Sequence, residues 1–276
     1  RGAKYNLYVY ALMGVLKLGL VFGMAGLGAY GLFTATGAAG LAGLGFSLIL
    51  MAKLYGFKLQ PTVHVPILKQ VFRFSFGNYI ANLLNILPTL IIPLIILAQL
   101  GAEPAGYYYV TFMVANLIYA VSYAVAQSLF AEGSYADKPF HLHIKRAALV
   151  LGAVIIPATA FLALAGKWLL LIFGKEYSAG ASEALVILSL AAPFVAIYAV
   201  SMTLLRVIHK TIALVVINAI YVILIAGLSF LWADKGLEGI AMAWLVGHAV
   251  TGVLGSLLFM QLNRRAGAAR TLAESA

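Results

Sequence analysis

The hydrophobic positions of this chain fall into eight long runs separated by short polar segments. The runs cover about residues 5–27, 32–54, 75–99, 107–130, 147–166, 184–205, 211–232 and 240–262. Each run supplies the roughly 20 apolar residues that a helix needs to cross a bilayer core of about 30 Å. Strands of a membrane barrel would be about half as long and would alternate between polar and apolar residues. The pattern therefore predicts an all-α polytopic membrane protein with eight transmembrane helices.

The short segments between the runs carry most of the charge, and their charges predict an orientation. Charged residues make up only 9% of the chain, and hydrophobic residues make up 64%. With eight alternating spans, fourteen of the 18 Lys and Arg fall on one side of the membrane and three on the other. The side with more positive charge is usually cytoplasmic. We therefore expect a multi-pass protein of the cell (plasma or inner) membrane, with both ends of the chain in the cytoplasm.

The composition of the chain argues against nucleic-acid binding and against an enzymatic function. The net charge of +10 sits mainly at the ends of the predicted helices, where it faces lipid headgroups, so we expect no nucleic-acid partner. The segments between the helices are too short for a soluble catalytic domain, and the chain has no Cys. No phosphate-loop, zinc-protease or serine-hydrolase motif occurs in the sequence. We expect no enzyme, and hence no catalytic residue, cofactor or metal.

Lys17 is the exceptional cation, because it lies near the middle of the first apolar run. A charge at the centre of a membrane helix costs roughly 2.5–3.5 kcal/mol on insertion scales, and such residues usually face a polar cavity or a partner. No acidic residue within an apolar run could neutralise it. We predict that Lys17 faces a cavity and pairs with an anionic ligand. The alternative is that its long side chain reaches the membrane surface.

The third run carries a polar stripe. Asn78, Asn82 and Asn85 are spaced i, i+4, i+7, which puts their amides on one face of a helix. Such a stripe either joins neighbouring helices by hydrogen bonds or lines a cavity. Pro88 and Pro93 follow in the same run and are candidate hinges. Asn116 and Gln127 of the fourth run complete the predicted cavity residues.

Two other features leave alternatives open. His248 lies in the last run, where a lone histidine is more often hydrogen-bonded to a neighbour than part of a proton relay. Residues 167–183 lie between the fifth and sixth runs, and we expect them to lie at the membrane surface as a half-helix before the sixth span; their Gly174 and Gly180 are natural helix breakers.

The stretch from Phe74 to Tyr135 resembles a known family. Three of its segments carry the resemblance: GNYIAN at 77–82, LGAEPAGY at 100–107 and SLFAEGS at 128–134. Two later segments, LLLIFGKEYSAGASEALVILSLA and GLEGIAMAWLVGHAV, are also similar. Together these motifs resemble the polysaccharide (oligosaccharide) flippases, the Wzx-type lipopolysaccharide biosynthesis proteins of the MOP exporter superfamily. The match covers most of residues 70–262.

The resemblance implies a MOP/MATE-like transporter with two six-helix lobes around a central cavity. Residues 1–54 would be the last two helices of the first lobe, and we expect the chain to be a fragment that lacks the preceding helices. Residues 55–73 would form a basic cytoplasmic connector between the lobes. Residues 74–262 would be the complete second lobe, followed by a basic cytoplasmic tail at 263–276.

The resemblance also implies a function. Members of this family are thought to flip a lipid-linked oligosaccharide or polysaccharide precursor across the membrane by alternating access. The substrate would be a glycan on a polyprenyl phosphate or pyrophosphate, and H⁺ or Na⁺ would be the coupling ion. Lys17 would meet the phosphate, and the asparagines would meet sugar hydroxyls.

Three other functions remain open from the sequence. A multidrug or metabolite exporter of the same superfamily would have a more aromatic and acidic cavity. A membrane glycan ligase or polymerase would need a catalytic group on a large outer loop, which this sequence lacks. A scaffold without transport activity would leave the polar helix faces without a purpose.

Overall fold

The chain folds almost entirely into helices. The structure is a computed structural model that describes residues 3–56, 65–133 and 140–274. No strand occurs among these residues, which confirms the predicted all-α class. The long helices are α1 (Ala3–Met24), α2 (Gly28–Tyr55), α3 (Val65–Gln99), α4 (Ala102–Gly133), α5 (Phe140–Leu171), α6 (Lys175–Val207), α7 (Thr211–Leu231) and α8 (Gly236–Glu274).

The helices have the length and hydropathy of membrane spans. Seven stretches of the described residues are long and apolar enough to cross a bilayer. The first stretch, Tyr5–Leu54, is 50 residues long and contains both α1 and α2, so the eight predicted helices are all present. The chain is therefore a multi-pass membrane protein.

The chain divides into two compact units, Arg1–Val65 and Pro66–Ala276. Residues 57–64, which make up much of the predicted connector 55–73, lie outside the described residues. α3 begins at Val65, inside the predicted connector, and α8 continues to Glu274 through most of the predicted tail. The helices thus extend further in both places than hydropathy alone indicates.

The first unit contains a helical hairpin. A single 3-10 turn, Ala25–Leu27, joins α1 to α2, and Gly28 follows it with a φ of 57°. That backbone conformation favours glycine because it has no Cβ. The two helices pack along their length, and the side chain of Met13 lies directly against Gly43. Any larger side chain at Gly43 would have to displace Met13.

The second unit is built around α6. In the most apolar 18-residue stretch of α6, 61% of the residues are buried, whereas the corresponding share for α3 is 22%. α6 packs against α4, α5 and α8, and α7 packs against α8. Its contact with α8 is close because Gly252 and Gly255 of α8 lie against the backbone and side chains of α6. Small residues at such positions let membrane helices approach each other.

The predicted half-helix between the fifth and sixth runs is wrong. α5 continues to Leu171, and the only break is at Gly174, whose φ of 137° is accessible to glycine. Gly180 lies inside α6, where the ring of Tyr107 packs against it. Gly180 therefore makes room for an aromatic ring and does not end a helix.

Candidate functional site

Lys17 lies on an exposed face of α1. It is the fifteenth residue of this 22-residue helix and lies seven residues before Met24, a distance of about 10 Å along the axis at about 1.5 Å per residue. Within the α1–α2 hairpin, its ammonium has no hydrogen-bond or ion-pair partner. The charge is thus available to a group outside the hairpin.

Two of the three α3 asparagines form hydrogen bonds with α6. Asn85 Nδ2 donates to the hydroxyl of Tyr198 at 2.8 Å. Asn82 Oδ1 accepts from Nη2 of Arg206 at 3.3 Å. Asn78 is half-buried on the same helix face, and Asn82 is exposed. The stripe therefore joins α3 to α6 at both Asn85 and Asn82, and Asn82 is still accessible.

The two prolines of α3 lie within one continuous helix. Pro88 is buried and Pro93 is exposed. Each proline removes one backbone donor from the helix, which weakens it locally. Their role as hinges stays a prediction.

Asn116 and Gln127 are both exposed on α4. They are eleven residues apart, about three helical turns, and so lie on the same face. Ala120 and Ala124 lie between them and are also exposed. This stripe of small and polar residues differs from the large apolar side chains that a lipid-facing surface normally carries. It is suited to line a water-filled space.

The structure also contains a buried polar network that the sequence did not predict as a unit. The hydroxyl of Tyr198 accepts the bond from Asn85 and donates to Asn218 Oδ1 at 2.7 Å. Asn218 Nδ2 in turn donates to the Leu214 carbonyl at 2.7 Å. Tyr198 thereby links α3, α6 and α7. The ring of Tyr221 stacks on Tyr198, with the centroids 4.8 Å apart.

His248 continues this network into α8. Its side chain is fully buried, and its Nδ1 lies 2.9 Å from the Trp244 carbonyl of the preceding turn. Its Nε2 lies 3.3 Å from the hydroxyl of Tyr221. The contacts are those of a histidine hydrogen-bonded to its neighbours, the more common of the two arrangements considered above.

Tyr198→Phe is expected to lower the free energy of unfolding of the protein by about 0.6–2 kcal/mol, the range of hydrogen bonds between membrane helices. The substitution removes the hydroxyl that accepts a hydrogen bond from Asn85 and donates one to Asn218, so both bonds are lost. Tyr109→Phe is the matched control because that side chain is 71% exposed on α4. Unfolding in denaturing detergent measures the difference, and equal stability of the two variants would contradict the role of the network.

A sequence profile of the family described as polysaccharide biosynthesis protein matches residues 2–182. This match covers about two thirds of the chain and includes both α1 and α2. The chain belongs to the polysaccharide biosynthesis protein family. The resemblance seen in the sequence is thereby confirmed and extends to the first unit. A search of curated protein sequences gives no match.

Solved structures of MATE proteins share the fold of this family member. A crystal structure of MATE in the bent conformation matches with a TM-score of 0.82 at 14% identity and covers 98% of this chain. A crystal structure of a MATE point mutant matches with a TM-score of 0.78, and a MATE in complex with MaD5 with 0.71, each at 14% identity over 96% of the chain. The chain spans 64% of the length of the first of these proteins and 62% of the other two.

Proposed function

We propose that this chain is part of a flippase that exports a lipid-linked oligosaccharide or polysaccharide precursor by alternating access. The observation that carries the proposal is the exposed stripe of small and polar residues on α4 that includes Asn116 and Gln127. Membership of the polysaccharide biosynthesis protein family supports a glycan substrate. The MATE fold supports an exporter and gives no indication of an enzyme.

The proposed substrate has two chemical parts that suit the proposed cavity residues. Its phosphate or pyrophosphate would pair with Lys17, and its sugar hydroxyls would exchange hydrogen bonds with the amides of Asn78, Asn82, Asn85, Asn116 and Gln127. Pro88 and Pro93 would let α3 bend as the cavity opens to either side. H⁺ or Na⁺ would drive the movement, and both ends of this chain would lie in the cytoplasm.

A transport assay with the full-length protein tests this function. The protein is reconstituted in vesicles that carry a fluorescent oligosaccharide on polyprenyl pyrophosphate, and a membrane-impermeant quencher reports which leaflet holds the label. We expect transfer between leaflets that is faster than in protein-free vesicles and that responds to an imposed H⁺ or Na⁺ gradient. Transfer at the protein-free rate would reject the proposal.

The same vesicles distinguish a drug exporter. The MATE fold alone is compatible with a multidrug or metabolite exporter of the same superfamily. Loading the vesicles with a cationic dye tests that alternative directly. Movement of the dye without movement of the glycan lipid would reject the flippase function and support a drug exporter.

A further inference from the structure

Arg206 occupies a position between helices. It lies in the last turn of α6, and its Nη2 donates to Asn82 Oδ1 of α3. Its guanidinium carbon lies 6.0 Å from the ring centroid of Phe130 on α4. The side chain is half-buried. It therefore points toward the place where α3, α4 and α6 meet. A cation that only anchored the end of α6 to lipid headgroups would instead be exposed.

The charge of Arg206 is uncompensated within the described part of the chain. No Asp or Glu of the described residues forms an ion pair with Arg206, and the carboxylate of Glu132 on α4 contacts the ring of His143 at 2.5 Å. Nε of Arg206 is buried and has no hydrogen-bond partner among the described residues. A partly buried cation without a counter-ion costs free energy that an anion would recover. Of the five donors of the guanidinium, only one, on Nη2, has a hydrogen-bond partner among the described residues.

We propose that Arg206 and Asn82 form a binding site for a lipid-borne phosphate. A guanidinium binds phosphate through two parallel N–H···O bonds, and it does so better than an ammonium because its donors form a planar fork. The exposed amide of Asn82 adds a further donor beside it. The ring of Phe130 lies beside the guanidinium, at the outer limit of a cation–π contact. Arg206 is not among the cavity residues predicted from the sequence, whereas its partner Asn82 is.

Two lipids share this chemistry. One is the polyprenyl phosphate carrier of the proposed substrate, and for that source the inference rests on the proposed function. The other is an anionic phospholipid of the surrounding membrane, and for that source the inference is independent of the proposed function. A binding experiment separates the two because it needs no transport.

The test uses the full-length protein in nanodiscs of phosphatidylcholine. Polyprenyl phosphate or phosphatidylglycerol is added at the same mole fraction, and native mass spectrometry measures the bound lipid. We expect Arg206→Gln to weaken binding of at least one of them by about tenfold or more, as for loss of a charge-assisted hydrogen bond. Arg206→Lys should fall between Arg206→Gln and the wild type because it keeps the charge and loses the fork.

The matched control is Arg264→Gln. Arg264 is exposed on α8 and belongs to the same predicted cytoplasmic set of charges, so its substitution changes the net charge equally. We expect it to change binding by less than about twofold. The thermal unfolding of each variant is measured in parallel. If Arg206→Gln is unfolded, lipid binding by Arg206→Lys is compared with that of the wild type instead.

Each outcome decides the inference. Weaker binding of polyprenyl phosphate alone supports the site with the substrate carrier as its ligand. Weaker binding of both lipids, or of phosphatidylglycerol alone, supports the site with a membrane phospholipid as its ligand. Binding unchanged by Arg206→Gln, or reduced equally by Arg264→Gln, overturns it. A protein that binds phosphate through Arg206 but moves no glycan lipid would reject the proposed function and leave the site standing.

Discussion

Lys17→Ala in the full-length protein is expected to abolish export of the lipid-linked glycan while leaving the amount of protein in the membrane unchanged. The phosphate of the substrate must pass through an apolar environment, where an unpaired charge is costly. An ammonium within the membrane offsets that cost only if it meets the phosphate during transport. Removing it should therefore raise the barrier for the charged part of the substrate.

Two variants control this result. Lys17→Arg keeps the positive charge and should retain part of the export. Lys53→Ala removes the same type of side chain from the same hairpin, but at the exposed last turn of α2. We expect export by Lys53→Ala to remain within about twofold of the wild type, because one fewer charge among fourteen leaves the charge bias that sets the orientation intact. Export and membrane insertion are measured in the same cells.

The alternative position of the Lys17 side chain predicts the opposite result. If the ammonium reaches the membrane surface, Lys17→Ala removes an insertion cost of at most about 2.5–3.5 kcal/mol. The variant would then be at least as stable as the wild type and would still export the glycan. That outcome would remove Lys17 from the proposed site.

The eight helices could be predicted because hydropathy follows directly from the requirement to cross the bilayer. Their ends could not be predicted as well. α5 was expected over 147–166 and extends from Phe140 to Leu171, because a helix continues into the headgroup region where apolar residues are no longer required. Gly180 was misjudged for a related reason: glycine both breaks helices and allows close packing, and only the position of Tyr107 distinguishes the two.

In the candidate site, the helix face that carries the asparagines could be predicted from the sequence, but their hydrogen-bond partners could not. The spacing of Asn78, Asn82 and Asn85 was enough to place them on one helix face. Their partners, Tyr198 and Arg206, lie more than a hundred residues away on α6, and no local pattern joins the two segments. Arg206 follows directly after the sixth apolar run, 184–205, where a basic residue is expected to face lipid headgroups, and its partial burial depends on how α3 and α4 pack around it.

Gly252→Leu is expected to destabilise the second unit by about 1–3 kcal/mol, the usual cost of overpacking. A Cβ at Gly252 would lie 3.1 Å from the backbone nitrogen of Tyr198 and 3.2 Å from Cγ2 of Ile197. The rest of a leucine side chain would then push α8 away from α6. This separation would also break the hydrogen bond from the Ser201 hydroxyl to the Gly252 carbonyl, now 3.2 Å long.

Gly227→Leu is the matched control for this packing argument. Gly227 is exposed on α7, and a Cβ there would meet no atom within 4 Å. Both substitutions replace glycine inside a helix and so gain the same helix propensity, about 1 kcal/mol. The difference between them therefore reports the contact of α8 with α6 alone. We expect Gly252→Leu to unfold at a temperature about 2–12 °C below that of Gly227→Leu, since a destabilisation of about 1–3 kcal/mol lowers the unfolding temperature by about 2–4 °C per kcal/mol. Equal unfolding temperatures would show that α6 and α8 do not depend on this close approach.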